Sequence, residues 1–342
     1  VFAKNMRDLL MAAPAGPQVT IGIDPGFRTG CKVAVVDETG LFLTSETIYP
    51  TPPREEKEKS AATLLRLIRD YKATLISIGN GTASRETDRF VSDLIRQNGL
   101  KTTKVVVNEA GASVYSASET AIEEYPDLDV TIRGAVSIAH RLQDPLSELV
   151  KIDPQSIGVG QYQHDVDQTL LKKALDREVE SCVNSVGVDA NTASPSLLSY
   201  VAGIGAVLAK RIVDFRNENG AFKSRSELLK VPRFGQKAFQ QAAGFLRVRN
   251  GIQPLDNSAV HPEQYSLVKQ MAASLKADVE ALIGNEQILA GLSVDELISK
   301  DAGEFTVRDI LHELARPGRD PRSEFKVATF SESINEISDL HV

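Results

Sequence analysis

Residues 198–205, LSYVAGIG, return thirty positions later as residues 228–235, LLKVPRFG. The match continues past the turns, with Leu198, Val201, Ile204, Gly205 and Phe215 aligning with Leu228, Val231, Phe234, Gly235 and Phe245. Each copy reads as a short apolar helix, a tight turn and a second helix that begins just after the last glycine. Glycine in such a turn permits positive φ and a close backbone approach. The first N–H groups of the following helix have no partner inside it, and its dipole favours an anion there. Lys210 and Arg211 lie one to two turns into the first of these helices, and Lys237 lies early in the second. Residues 191–250 hold ten basic and three acidic side chains, a net +7 in a chain of net −7, which leaves −14 for the rest. A basic island in an acidic chain is the footprint of a polyanion. The candidate contacts are therefore Gly203, Gly205, Lys210, Arg211, Arg233, Gly235 and Lys237. Gly205 is expected to be the close-approach position, strained by any side chain if its φ is positive. Contacts of this kind go to the phosphate backbone and carry little sequence preference. Paired helical hairpins also serve protein contacts, and lysines often only solvate a helix; the reading rests on repeat, turn and charge together.

The rest of the chain frames this segment. A chain of 342 residues fits two or three domains, and 42% apolar with 25% charged residues is ordinary globular composition. No apolar run approaches the ~18 residues of a membrane span. Two cysteines, Cys31 and Cys182, make no disulfide framework, and no CxxC or histidine cluster suggests zinc, so a reducing cytoplasm is expected. The chain starts at Val1 without a methionine and is read as a piece of a longer one. Residues 1–18 read as the end of a preceding helical region, 19–150 as an α/β domain and 151–190 as a connecting helix. Residues 191–250 form the hairpin domain and 251–342 a helical C-terminal domain with a linker. The acidic segments on either side are expected to support the hairpins and contribute little to affinity, so deleting 251–342 should leave binding similar or slightly tighter.

The α/β domain opens on IGIDPGFRTG (21–30), which puts Asp24 at a strand end before a glycine-bounded loop. Strands at 19–24, 31–37 and 41–49 precede alternating helices (55–71, 84–97, 112–124, 132–142) and strands (74–78, 104–107), a pattern for a mixed sheet covered by helices. Asp-Pro-Gly is also an ordinary turn, and the same strand start opens the phosphate loop of actin-like or sugar-kinase-like ATPases. NEAGAS (108–113) places Glu109 directly after the 104–107 strand, where resolvase-type RNase H-like domains carry their second acid. In that fold the acids hold two Mg²⁺ ions for in-line phosphodiester attack. His140, in a helix, and His164, in a loop, have no cysteine or triad partner at a useful spacing and are read as structural.

The strings IGIDPGFRTG, IGNGTASRETD (78–88), NEAGASVYSASE (108–119), RLQDPLSELVKI (141–152) and IGVGQYQHDV (157–166), followed by the hairpin repeat, resemble the Tex family of bacterial transcription accessory proteins. The resemblance implies a YqgF/RuvC-type RNase H-like domain, then an all-α tandem helix-hairpin-helix and a helical C-terminal domain. It also implies a helical N-terminal region and a C-terminal OB-fold RNA-binding domain, both expected to fall outside this sequence. GIG at 203–205 matches the family's hairpin; the second copy departs from it with Arg233. In active YqgF-type domains a third acid begins the last helix, and Arg133 aligns with that place. A cation there is expected to oppose metal binding, with Asp129 as an unsupported stand-in and Asp24 and Glu109 as vestigial acids. The expected function is a transcription accessory factor that binds DNA and/or RNA, with the transcription machinery as an implied partner and no required cofactor. Mg²⁺ belongs only to the alternative, a RuvC-like nuclease acting on structured nucleic acid.

Overall fold

A computed structural model describes residues 1–298 and 302–326. The chain divides into two compact units, one of residues 12–152 with 156–158, the other of residues 1–11, 153–155 and 159–322.

The second unit begins with helix α1 (Phe2–Leu10), which is treated with its partners below. The α/β unit holds strands β1 (Thr20–Asp24), β2 (Cys31–Val36), β3 (Phe42–Ile48), β4 (Leu75–Gly79) and β5 (Thr103–Val107) in the order β3-β2-β1-β4-β5. The first three strands pair antiparallel, while β4 and β5 run parallel to β1, the expected mixed sheet. The β2–β3 turn closes because the Asp37 carboxylate accepts the N–H groups of Thr39 and Leu41 at 2.8 and 2.9 Å. Alternation sorts the side chains by face. Ile21, Ile23, Val33, Val35, Ile76 and Ile78 bury against α2 (Lys57–Tyr71) and α3 (Ser84–Asn98), whose Leu64, Leu67, Val91 and Leu94 complete that core.

The opposite face receives α6 (Val130–Gln143), which follows two short helices, α4 (Ala112–Ser116) and α5 (Glu119–Glu124). The single helix expected over 112–124 is broken at Ser118, whose hydroxyl caps α5 by accepting the Ala121 N–H. Ala135, Val136 and Ala139 of α6 pack on Ala34 and Val36 of β2. Gly22 is required at the crossing: a Cβ there would lie 2.1 Å from the Ala135 carbonyl oxygen. This close approach fixes α6 over the end of β1 that carries Asp24. Helix α7 (Pro145–Leu149) follows, capped by Asp144. Its Glu148, 1% exposed, meets the Lys151 ammonium at 3.0 Å, and Lys151 also reaches Glu124. Burial pushes Glu148 up, but Lys151, His140 and the Ser137 hydroxyl together hold it below the usual carboxylate range. His140, as expected, is a structural ring held between Glu148 and the Gly40 carbonyl.

In the other unit α1 packs on α8 (Gln168–Val186), with an Arg7–Glu178 ion pair and the Asn5 amide donating to the Val159 carbonyl at 2.7 Å. The two-residue strands β6 (Val188–Asp189) and β7 (Leu246–Arg247) pair in parallel and bracket the repeat. Within it lie α9 (Pro195–Ser199), α10 (Ala206–Asn219), a 3₁₀ turn at Arg225–Lys230 and α11 (Gln236–Ala242). Beyond them α12 (Tyr265–Ser274), α13 (Val279–Leu282), α14 (Glu286–Leu289), α15 (Val294–Leu297) and α16 (Glu304–Ala315) share a core of Leu255, Val268, Met271, Leu282, Val307, Ile310 and Leu314. The helical C-terminal region is built from these short helices, and Lys276, just past α12, takes a positive φ of 52°.

Candidate nucleic-acid interface and acidic site

The two copies of the repeat fold alike. Leu198 and Leu228, Val201 and Val231, and Ile204 and Phe234 are all buried. In each turn the residue after the middle position donates back across it, Ile204 to the Val201 carbonyl at 2.9 Å and Phe234 to that of Val231 at 3.0 Å. The middle positions are both left-handed, with φ of 83° at Gly203 and 67° at Arg233. Each turn also touches the other hairpin's second helix. A Cβ on Gly203 would lie 2.8 Å from the Cβ of Gln241, and Arg211 of α10 reaches the Pro232 carbonyl at 3.4 Å. Asn184 of α8 clamps the first turn by accepting the Ala202 N–H and donating to the Tyr200 carbonyl, both at 3.1 Å.

Gly205 and Gly235 cap the second helices from extended backbone, with φ of −92° and −82°. The folding cost expected at Gly205 if its φ were positive therefore does not arise; the left-handed glycine is Gly203, at the middle of the turn. A Cβ at Gly205 or Gly235 would meet nothing within 4 Å. What these two glycines leave open is the approach to the first-turn N–H groups. Lys210, Arg233 and Lys237 are exposed around the two helix starts and Arg211 is half-buried. Asp176 and Glu180 line a shallow depression at the first turn together with Tyr200, Gly203, Ile204 and Gly205, so two acids stand near that helix start.

The +7 count overstates the charge available to a ligand. Arg225 is 1% exposed and gives its guanidinium to the Ser258 and Val260 carbonyls and the Tyr265 hydroxyl, while its N–H meets Asp256 at 2.7 Å. Arg247 donates to the Gly244 and Leu246 carbonyls, and burial followed by the neighbouring Arg225 pulls it down to about 10. Arg216 donates to the Ala190 carbonyl at 2.8 Å. These three arginines build the fold. The Arg225 contacts also tie the repeat to residues 256–265, so a cut at 251 orphans a buried cation rather than removing a neutral support.

At the end of β1 the Asp24 carboxyl is pushed up to about 6, first by burial and then by Glu109, against a smaller opposing effect of Lys32. Glu109 follows β5, and its carboxylate lies over Gly79 and Gly81, where a Cβ would come within 2.3 and 1.7 Å of it. The Glu109 Oε2 atom is buried without a hydrogen-bond partner. Arg141 of α6 donates to the Asn108 and Ala110 carbonyls at 2.8 and 2.7 Å, on both sides of Glu109. Burial lowers Arg141, opposed by the charges of Glu148 and Glu109.

Arg133 is not part of this site, which corrects the alignment. Its side chain is buried and donates to the carbonyls of Tyr125 at 3.0 Å and Ser116 at 3.4 Å. Asp129 accepts the Thr131 N–H as the cap of α6. On α6 it is Gly134 that faces Asp24: a Cβ there would lie 3.1 Å from Asp24 Oδ2. Two carboxylates, one with an orphan oxygen, invite a cation. The facing helix, however, offers Gly134, Ile138 and Arg141, none with an oxygen donor on its side chain. Among the described residues no three His, Cys, Asp or Glu side chains converge as a metal site. These residues do not fit a two-Mg²⁺ centre.

Residues 18–143 match the family model of the Tex protein YqgF-like domain, 183–247 the helix-hairpin-helix motif, and 253–322 a second helix-hairpin-helix domain. The chain is 59% identical over 341 residues to Protein tex of Bordetella pertussis, covering 99% of this chain and 43% of that protein. The chain belongs to the Tex family. The transcriptional accessory protein Tex of Neisseria gonorrhoeae is 56% identical over 345 residues, covering 100% of this chain and 45% of its own. The human S1 RNA-binding domain-containing protein 1 is 35% identical over 404 residues, covering 100% of this chain and 40% of its own. The chain thus spans less than half the length of these curated Tex-like relatives. An α/β RNase H-like domain followed by helical hairpin domains is what the Tex resemblance implied. Sequence reasoning did not see that 253–322 is itself a helix-hairpin-helix domain; the signal available was Gly284, whose φ of 74° sits between α13 and α14. Nor did it single out Gly134 or Arg141 in the Tex YqgF-like domain, because neither is an acid. Among the described residues no helix is long and apolar enough to cross a membrane.

Proposed function

We propose that this chain is the nucleic-acid-binding part of a transcription accessory factor, docking on phosphate backbones of DNA and/or RNA without strong sequence preference. The observation that carries the reading is the matched pair of hairpins, each presenting an uncovered helix start beside exposed basic side chains. Such a pair can engage phosphates from one strand or from both, with lysine and arginine supplying charge at longer reach. The N–H groups orient the contact, and the side chains set its strength and salt dependence. Contacts to the transcription machinery belong to the same proposal and are supported by the names of the relatives. The RNase H-like domain is proposed to be non-cleaving, since on α6 Asp24 meets Gly134, and Arg141 braces the loop around Glu109, in place of a third acid. It holds a nuclease-like fold without a nuclease's ligand set.

The test is a salt titration of binding to single-stranded, duplex and branched substrates, with cleavage assayed in Mg²⁺ and Mn²⁺. If four to six phosphates are neutralised, log K falls against log salt with a slope of roughly −4 to −5 on duplex DNA. Replacing Lys210, Arg211 and Lys237 with alanine flattens that slope by up to about three. An unchanged slope and affinity in the folded triple variant would assign the hairpins to a protein partner. Cleavage that disappears in Asp24→Asn would restore the nuclease reading.

A further inference from the structure

We propose that position 134 is the vacated third-ligand position of the acidic site, so that one carboxylate placed there converts the Asp24–Glu109 pair into a divalent-cation site. The inference rests on the reading of the RNase H-like domain as non-cleaving and goes on to name the residue responsible.

Three observations on α6 lead there. First, a Cβ on Gly134 would lie 3.1 Å from Asp24 Oδ2 and, apart from its chain neighbours and the helix's own backbone, would meet no other atom within 4 Å. A Cβ there is tight against one carboxylate oxygen, which must give by a few tenths of an ångström, and against nothing else, so a side chain at 134 is directed at Asp24. Second, Gly134 lies inside a fourteen-residue helix, where glycine is unfavourable by roughly 1 kcal/mol relative to alanine. Unlike Gly22, it has no backbone neighbour that forbids a Cβ. Third, the residues next along the same face, at helical spacings of four and seven, are Ile138 and Arg141. Ile138 Cδ1 is 3.0 Å from where a Gly79 Cβ would stand, beside the Glu109 carboxylate, and Arg141 braces the loop around Glu109. The face that a metal centre would fill with oxygen donors carries a bare backbone, an alkyl group and a cation. Only the first of these has space for a new ligand without dismantling packing. A third carboxylate beside Asp24 and Glu109 is repelled by both and gains its charge balance from a dication.

The experiment compares the 342-residue chain with Gly134→Asp, Gly134→Asn and the double variant Gly134→Asp/Asp24→Asn. Mn²⁺ alone is the probe, read by loss of the free-ion electron paramagnetic resonance signal and by metal-dependent thermal stabilisation. Gly134→Asp is expected to bind Mn²⁺ at least about tenfold more tightly than the unaltered chain, since affinity at hard-cation sites follows the number of charged ligands. The gain should vanish in the double variant and be missing from Gly134→Asn, which has the same size without the charge. Stabilisation by Mn²⁺ should appear in Gly134→Asp even if that variant melts early without metal. A folded Gly134→Asp with no gain, while the unaltered chain also binds none, overturns the assignment of position 134 and leaves the non-cleaving reading standing. Equally tight binding by the unaltered chain overturns both, because two acids then suffice. If neither the Asp nor the Asn variant folds, position 134 has no room for a ligand and the proposal fails.

Discussion

Substituting the two glycines of the first hairpin one at a time should separate folding from binding. At Gly203 an alanine must hold a φ of 83°, which costs a non-glycine residue about 1–2 kcal/mol. Its Cβ would also stand 2.8 Å from the Cβ of Gln241 and 3.3 Å from the Ala238 carbonyl, an overpacking worth roughly 1–3 kcal/mol. The stiffer unfolded chain returns about 0.4–1 kcal/mol, so Gly203→Ala should lose on the order of 2–4 kcal/mol. For a unit of this size that lowers the melting temperature by roughly 4–16 °C. At Gly205 the backbone is already extended and a Cβ meets nothing within 4 Å, so Gly205→Ala should cost about 1 kcal/mol or less as a poorer helix cap. Its effect should fall on affinity, because the methyl stands before the first-turn N–H groups of α10. The assay is thermal unfolding of both variants by circular dichroism, then duplex binding at one salt concentration where both are folded. Gly203→Ala melting with the unaltered chain, or Gly205→Ala melting as early as Gly203→Ala, would refute the division of roles. Undiminished affinity in Gly205→Ala would refute the approach through that helix start.

Arg233→Gly relieves the left-handed strain in the second turn, so it should raise stability by up to about 1 kcal/mol while reducing the salt slope by about one; loss of stability would mean the side chain braces the turn. Asp24, at about 6 when folded and near 3.8 when unfolded, binds its proton more tightly in the native state, so stability falls as pH rises from about 4 to 6. Asp24→Asn should therefore be more stable at neutral pH by up to about 3 kcal/mol, a gain that shrinks below pH 4 and is checked by denaturant titration across that range. Lys151→Met leaves Glu148 buried with only His140 and Ser137 to compensate it, and should cost roughly 3–5 kcal/mol, more at pH 8 than at pH 5. Equal melting temperatures for Lys151→Met and the unaltered chain would show that Glu148 takes up a proton instead.

The hairpins were legible because their information is local. A thirty-residue repeat carries its own registration, and the apolar positions 198, 201 and 204 and their counterparts 228, 231 and 234 are all buried. The strands around Asp24 were legible for the same reason, since the apolar, Val-rich run of β2 and the Asp37-Glu38-Thr39-Gly40 turn that follows it act over a few residues. Chain position alone does not set which glycine is strained, because φ at 203 and 205 depends on how the turn packs against α11. Charge counting failed for Arg216, Arg225 and Arg247 because a guanidinium carries the same charge on the surface as it does bonded to carbonyls in the interior. The acidic site shows the limit most clearly. Alignment could name Asp24, at the end of β1, and Glu109, just past β5, but the third side of the site comes from a helix whose rotation is fixed by the contact of Gly22 with Ala135. A rotation of one residue, about 100°, exchanges Arg133 for Gly134 at the acids, and only the packed sheet and helix decide between them.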